Sequence, residues 1–100
     1  MPPWAERLYV IRNLNRRGHG TAYSALEAYQ GWARTDPKLF ERINALIKDI
    51  ARSPFTGIGK PEPLRHNLAG YWSRRITDEH RLVYKVKDDA VFIASCKFHY

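Results

Sequence analysis

The sequence predicts a small α+β domain with its helices packed on one face of an antiparallel sheet. Two observations carry this. Apolar residues recur at three- and four-residue spacing up to Ile50, and at two-residue spacing after Gly70. The two regimes are separated by "SPFTGIGKPEPLRHNLAG", Ser53 to Gly70, which holds three prolines and three glycines. Helices first and strands last give α+β order rather than alternating βαβ units.

Taken in chain order, Leu8–Leu14 is a weak strand candidate. Tyr23, Leu26, Tyr29 and Trp32 fall every three residues, roughly one side of a helix from about Tyr23 to Arg34, with Gly31 weakening it. Asp36-Pro37 is an N-cap followed by proline at the first helical position. Leu39, Ile43, Leu46, Ile47 and Ile50 then form one stripe. Lys48 and Arg52 suit the negative end of the helix dipole, and Ser53-Pro54 stops the helix, so it spans 37–52. The short Thr35-Asp36 step makes the two helices an antiparallel hairpin. The Ser53–Gly70 stretch reads as mostly loop. Tyr71–Ile76, Arg81–Lys87 and Ala90–His99 read as strands joined by turns at Thr77–His80 and Asp88-Asp89, a three-stranded antiparallel meander.

One hundred residues fit one domain, divided here into residues 1–20, a basic extension or first strand, and the body, 21–100. No apolar run reaches the ~18 residues of a membrane span, and the N-terminal stretch is too charged for a secretory signal. Cys96 is the single cysteine, so no disulfide framework exists. A cytoplasmic protein is the natural expectation. Seventeen basic residues against ten acidic ones give +7, which favours a polyanionic partner, most often nucleic acid. The excess sits at the two ends: residues 21–59 hold five basic and four acidic residues, and residues 60–100 hold eight and five.

Several side chains could carry chemistry. Glu62 stands between prolines in "KPEP", which either aims its carboxylate or leaves an ordinary solvated loop glutamate. Arg74, Arg75 and Arg81 lie on adjoining strands, with Arg65 upstream. Close arginines need an anion, and either a phosphate or the nearby Asp78 and Glu79 would supply it. His99 is a histidine at a strand end beside a basic surface. Cys96 alternates with Ala94 and Phe98 and reads as a small buried hydrophobe. No histidine–cysteine set has metal-ligand spacing, so no metal or other cofactor is expected. RNA can be cut without a metal, because its 2′-OH attacks the neighbouring phosphate. That reaction needs a base, an acid for the leaving 5′-oxygen, and cations.

The stretch from about Trp32 to Tyr100 resembles the YoeB (Txe) toxins of type II toxin–antitoxin systems, within the RelE/ParE superfamily. "PFTGIGKPEPL", "WSRRITDEHRLVY" and the terminal "HY" carry the resemblance. It implies a RelE-like fold and a ribosome-dependent endoribonuclease that cuts mRNA in the decoding site. By that resemblance Glu62 is the general base, Arg81 stabilises the phosphate transition state, His99 is the general acid, and Tyr100 positions substrate or acid. Arg65 and Arg75 contact RNA phosphates, Arg65 standing where the family usually has lysine, and the arginine cluster adds Arg74 to the expected phosphate contacts. The implied partners are a YefM-type antitoxin, the ribosome and mRNA, and operator DNA through the antitoxin complex. A homodimer is a further assembly, and no membrane is involved. The alternatives are a non-enzymatic inhibitor on the same scaffold, a plain nucleic-acid-binding module, or an inactive variant.

Two points stay open in the sequence. "RRGHGT" is a poor strand where family members carry their first one, so either Leu8–Leu14 takes that role or residues 1–20 are an extension. With a strict two-residue hairpin at Asp88-Asp89, alternation puts Arg81 on the face of Tyr100 and opposite His99, unless a bulge or terminal twist intervenes.

Overall fold

The structure, a computed structural model, describes residues 10–11, 25–88 and 90–97 of the chain. The elements in order are β1 (Val10–Ile11), α1 (Ala25–Thr35), α2 (Pro37–Arg52), β2 (Glu62–Pro63), β3 (Trp72–Arg75), β4 (Arg81–Lys87) and β5 (Ala90–Ser95), with a 3-10 turn at His66–Leu68. The strands form one sheet in the order β1-β5-β4-β3-β2. β2 to β5 are antiparallel neighbours, and β1 pairs with β5 in parallel.

α2 has the expected bounds. The Asp36 carboxylate accepts from the Leu39 amide at 3.1 Å, and Pro37 needs no partner for the N–H it lacks. Leu39, Ile43, Leu46, Ile47 and Ile50 are buried as the stripe requires, but so is Asp49. α1 is rotated from the expected setting. Its buried face is Ala25 and Ala28 with Tyr29 and Trp32 packed beside them, while Leu26 is 43% exposed. A strict three-residue repeat drifts around a helix of 3.6 residues per turn, so the i, i+3, i+4, i+7 set wins. Tyr23 lies outside the described residues.

Both helices pack on one face of the sheet, against Leu82, Tyr84, Val91, Ile93 and Cys96. The Trp32 indole donates to the Cys96 carbonyl at 3.0 Å, tying α1 to the end of β5. Burial pushes the Cys96 thiol up to about 12, which makes it a packing residue.

The turns explain the sheet register. Thr77 Oγ1 accepts from the amides of Glu79 and His80, both at 3.1 Å, closing the β3–β4 turn. Asp88 takes a φ of +52°, a left-handed setting that aspartate tolerates, and Lys87 pairs with Ala90 across the next turn. Further along, Tyr84 pairs with Ile93 but Val83 pairs with Ser95, so Ala94 is an inserted residue and β5 is bulged.

Two strand expectations change, and the strand expected within Leu8–Leu14 is present over two residues. β2 is an additional edge strand inside the stretch read as loop; Pro63 is tolerated there because an edge need not donate inward at every position. The last strand ends at Ser95, and His99 lies outside the described residues. Val10–Ile11, within the Leu8–Leu14 stretch, pairs with Phe92–Ile93. A chain starting at Gly18 lacks that edge and leaves the outer side of β5 open. We expect it to melt several degrees lower and to aggregate at concentrations the full chain tolerates. Equal melting temperatures for the two chains would remove β1 from the stabilising contacts.

Candidate active site

The register places Glu62, Ser73, Val83 and Ser95 side by side across the sheet. The adjacent row is Pro63, Trp72, Tyr84 and Ile93, and its last two members are fully buried against the helices. Alternation therefore turns the Glu62 row to the opposite face. One two-residue step along that face lies the pair Arg75 and Arg81. From strand spacing and rise, the Cα atoms of Glu62 and Arg81 are about 12 Å apart, within reach of two long side chains. Glu62 and Arg75 are exposed, Arg81 is half-buried, and the middle of the row, Ser73 and Val83, is buried.

Arg81 is held by the turn that precedes it. Its Nη1 donates to the carbonyl oxygens of Thr77 at 2.7 Å, Asp78 at 3.0 Å and His80 at 3.2 Å. Backbone oxygens take the place that the sequence reading offered to the Asp78 and Glu79 carboxylates. Arg65 is exposed just before the 3-10 turn, next to the strand that carries Glu62.

Arg74 is a correction. It was expected among the phosphate contacts, and it is fully buried on the helix side of β3. Its Nε donates to the Tyr84 hydroxyl, Nη1 to Asp49 Oδ2 at 2.6 Å and the Ile58 carbonyl, and Nη2 to the carbonyls of Ser53 and Thr56. A guanidinium has five N–H donors, and all five are taken, so none is left for a phosphate. Arg74 and Arg75 are adjacent on a strand and must face opposite ways. Of these two, only Arg75 shares a face with Glu62.

Asp49 is the residue that sequence reasoning missed. The available signal was an acid lying within the buried stripe of α2, which demands a partner. Burial alone raises its pKa, but the bonds from Arg74, the Ile58 amide and Arg52 outweigh that and hold the carboxyl below its ordinary value. Also unforeseen is Lys85, whose ammonium lies 5.2 Å from the Tyr71 ring and 5.9 Å from the Phe92 ring, on the Glu62 face. His99 and Tyr100 lie outside the described residues. Among the described residues no group of three or more histidine, cysteine, aspartate or glutamate side chains is arranged to hold a metal.

The signature of the YoeB-like toxin of bacterial type II toxin–antitoxin systems matches residues 22–100. The chain belongs to this family. The toxin YoeB of Escherichia coli strain K12 is 61% identical over 72 residues, 72% of this chain and 86% of that one. YoeB in the YoeB–YefM complex from Staphylococcus aureus superimposes with a TM-score of 0.77 at 44% identity, covering 94% of this chain and 99% of that one. The YoeB dimer from the same organism gives 0.76 at 45% identity over the same shares, 94% and 99%. The RelE-like fold of the YoeB-like toxins is therefore the fold of this chain.

The Asp49 carboxylate has a lowered pKa in the folded state, so its contribution is present above the ordinary carboxylate value, about 4, and is lost as pH falls through its own lower value. Asp49→Asn leaves Arg74 buried without its counter-charge and should cost about 3 kcal/mol at neutral pH. The gap between the two proteins should narrow as the pH falls below about 4. Denaturant titrations at several pH values measure it; a gap constant down to strong acid would mean that the charge is not its source.

Proposed function

We propose that this chain is a toxin that cuts mRNA on the ribosome by general acid–base chemistry. The observation that carries the reading is the register that sets Glu62 on the same sheet face as Arg75 and Arg81, the face turned away from the helices, with none of the three fully buried. In this reading Glu62 takes the proton from a ribose 2′-OH, which attacks the adjacent phosphorus. Arg81 stabilises the charge that gathers on the phosphate oxygens, and His99 protonates the leaving 5′-oxygen. Tyr100 positions the substrate or the imidazole, and Arg65 and Arg75 contact flanking phosphates. The products are a 2′,3′-cyclic phosphate and a free 5′-hydroxyl.

β5 carries the bulge at Ala94. It changes the parity of the strand, so Ser95 rather than Ala94 falls beside Val83. An imidazole, with an ordinary pKa of about 6.5, suits a group that must hold and release a proton near neutral pH.

The partner in this reading is an antitoxin of the YefM type, as in the Staphylococcus aureus complex, and the toxin pairs with itself as the dimer from that organism does. The toxin–antitoxin complex would bind its own operator DNA. The net charge of +7 favours such anionic partners.

The test is cleavage of a defined mRNA on purified ribosomes, with end-group analysis of the cuts. Glu62→Gln and His99→Gln should each lower the cleavage rate by about 10²- to 10⁴-fold while melting and antitoxin binding stay close to wild type. Inhibited translation without cut mRNA would favour the non-enzymatic inhibitor. Arg75→Ala should weaken ribosome binding and flatten its salt dependence by roughly one phosphate contact. An unchanged salt slope would remove Arg75 from the phosphate contacts.

A further inference from the structure

We infer that Arg74, from inside the core, is a positioning residue for Glu62: it sets the path of the loop at 53–60 and thereby the place where the carboxylate is delivered. The inference rests on the reading of Glu62 as the general base.

The loop is wrapped around the guanidinium. Three of its carbonyls, those of Ser53, Thr56 and Ile58, accept from Arg74 at 2.7, 2.9 and 3.1 Å. The Ile58 amide closes the circuit by donating to Asp49 Oδ2 at 3.1 Å, the oxygen that Arg74 itself holds. The close wrap dictates glycine at 57. A Cβ there would lie 1.9 Å from Asp49 Oδ2, and the φ of +126° is a glycine setting. Besides satisfying guanidinium donors that burial would otherwise leave unpaired, the loop carbonyls tie the backbone to a fixed point. The three extra bonds fix a backbone path.

That path runs directly to Glu62. Gly59 accepts from the Arg75 amide at 2.7 Å and has a φ of +81°. Lys60 follows at +53°, a left-handed lysine that costs about 1 kcal/mol and persists only where the surroundings dictate it. Pro61 alone then separates Lys60 from Glu62, and its ring fixes φ. Little backbone slack remains between the clamp and Glu62. The strand that carries the clamp also receives the delivery, because Glu62 pairs with Ser73, next to Arg74.

Arg74→Lys keeps a cation for Asp49 but cannot fork to three carbonyls. On programmed ribosomes its single-turnover cleavage rate at saturation should fall about 10- to 100-fold, with the half-saturating ribosome concentration unchanged within about twofold. Hydrogen exchange at the Arg75 amide should quicken. In a Glu62→Gln chain the same substitution should add no further loss, because both changes remove one function. Gly57→Ala strains the clamp from the loop side and should give the same pattern; it stands in if Arg74→Lys does not fold. The inference is overturned by a folded Arg74→Lys chain that cuts at the normal rate, by a loss that lies wholly in ribosome binding, or by losses that add to that of Glu62→Gln. A Glu62→Gln chain that cuts normally instead overturns the base assignment, and the positioning role falls with it.

Discussion

The rest of the structure is arranged around a single buried cation. A guanidinium removed from water is tolerable only when its donors are satisfied and its charge is balanced. Arg74 meets both conditions with groups from three places: Asp49 on α2, carbonyls of the loop that follows α2, and the Tyr84 hydroxyl on β4. The Tyr84 hydroxyl passes the chain of bonds on to the Pro54 carbonyl at 2.6 Å. Burial raises the Tyr84 pKa, so the phenol stays a neutral donor in that chain. Helix, loop and sheet are thus registered to one another by directional bonds, where apolar contacts alone would leave sliding freedom.

Much of this was legible in the residues, for reasons that can be named. α2 was readable to the residue because Asp36, Pro37 and Ser53 act locally and the stripe between them is regular. The turns were readable because Thr77 and Asp88 have side chains or backbone settings suited to them. α1 was readable in place but not in rotation, since aromatic and aliphatic residues surround it and only packing chooses Ala25 and Ala28 as the inner face.

The site was legible in part. Glu62 announced itself through its flanking prolines, and the arginines through their crowding. Which arginine turns inward was not legible, because "WSRR" fixes that Arg74 and Arg75 oppose each other but not which faces the helices. Asp49 holds the answer, and it is distant in sequence from the strand it serves. Likewise the bulge at Ala94 leaves no local mark, since neither glycine nor proline is needed there; its trace is the burial of Cys96 three residues after Ile93.

The parallel pairing of β1 with β5 has a kinetic consequence. Val10 meets Phe92 across almost the whole chain, whereas β3, β4 and β5 meet through turns of a few residues. Closing so large a loop carries a high entropic cost that the meander avoids. The edge of β5 therefore stays open until late in folding, and during synthesis β1 waits, exposed, for a partner strand that the ribosome has yet to make.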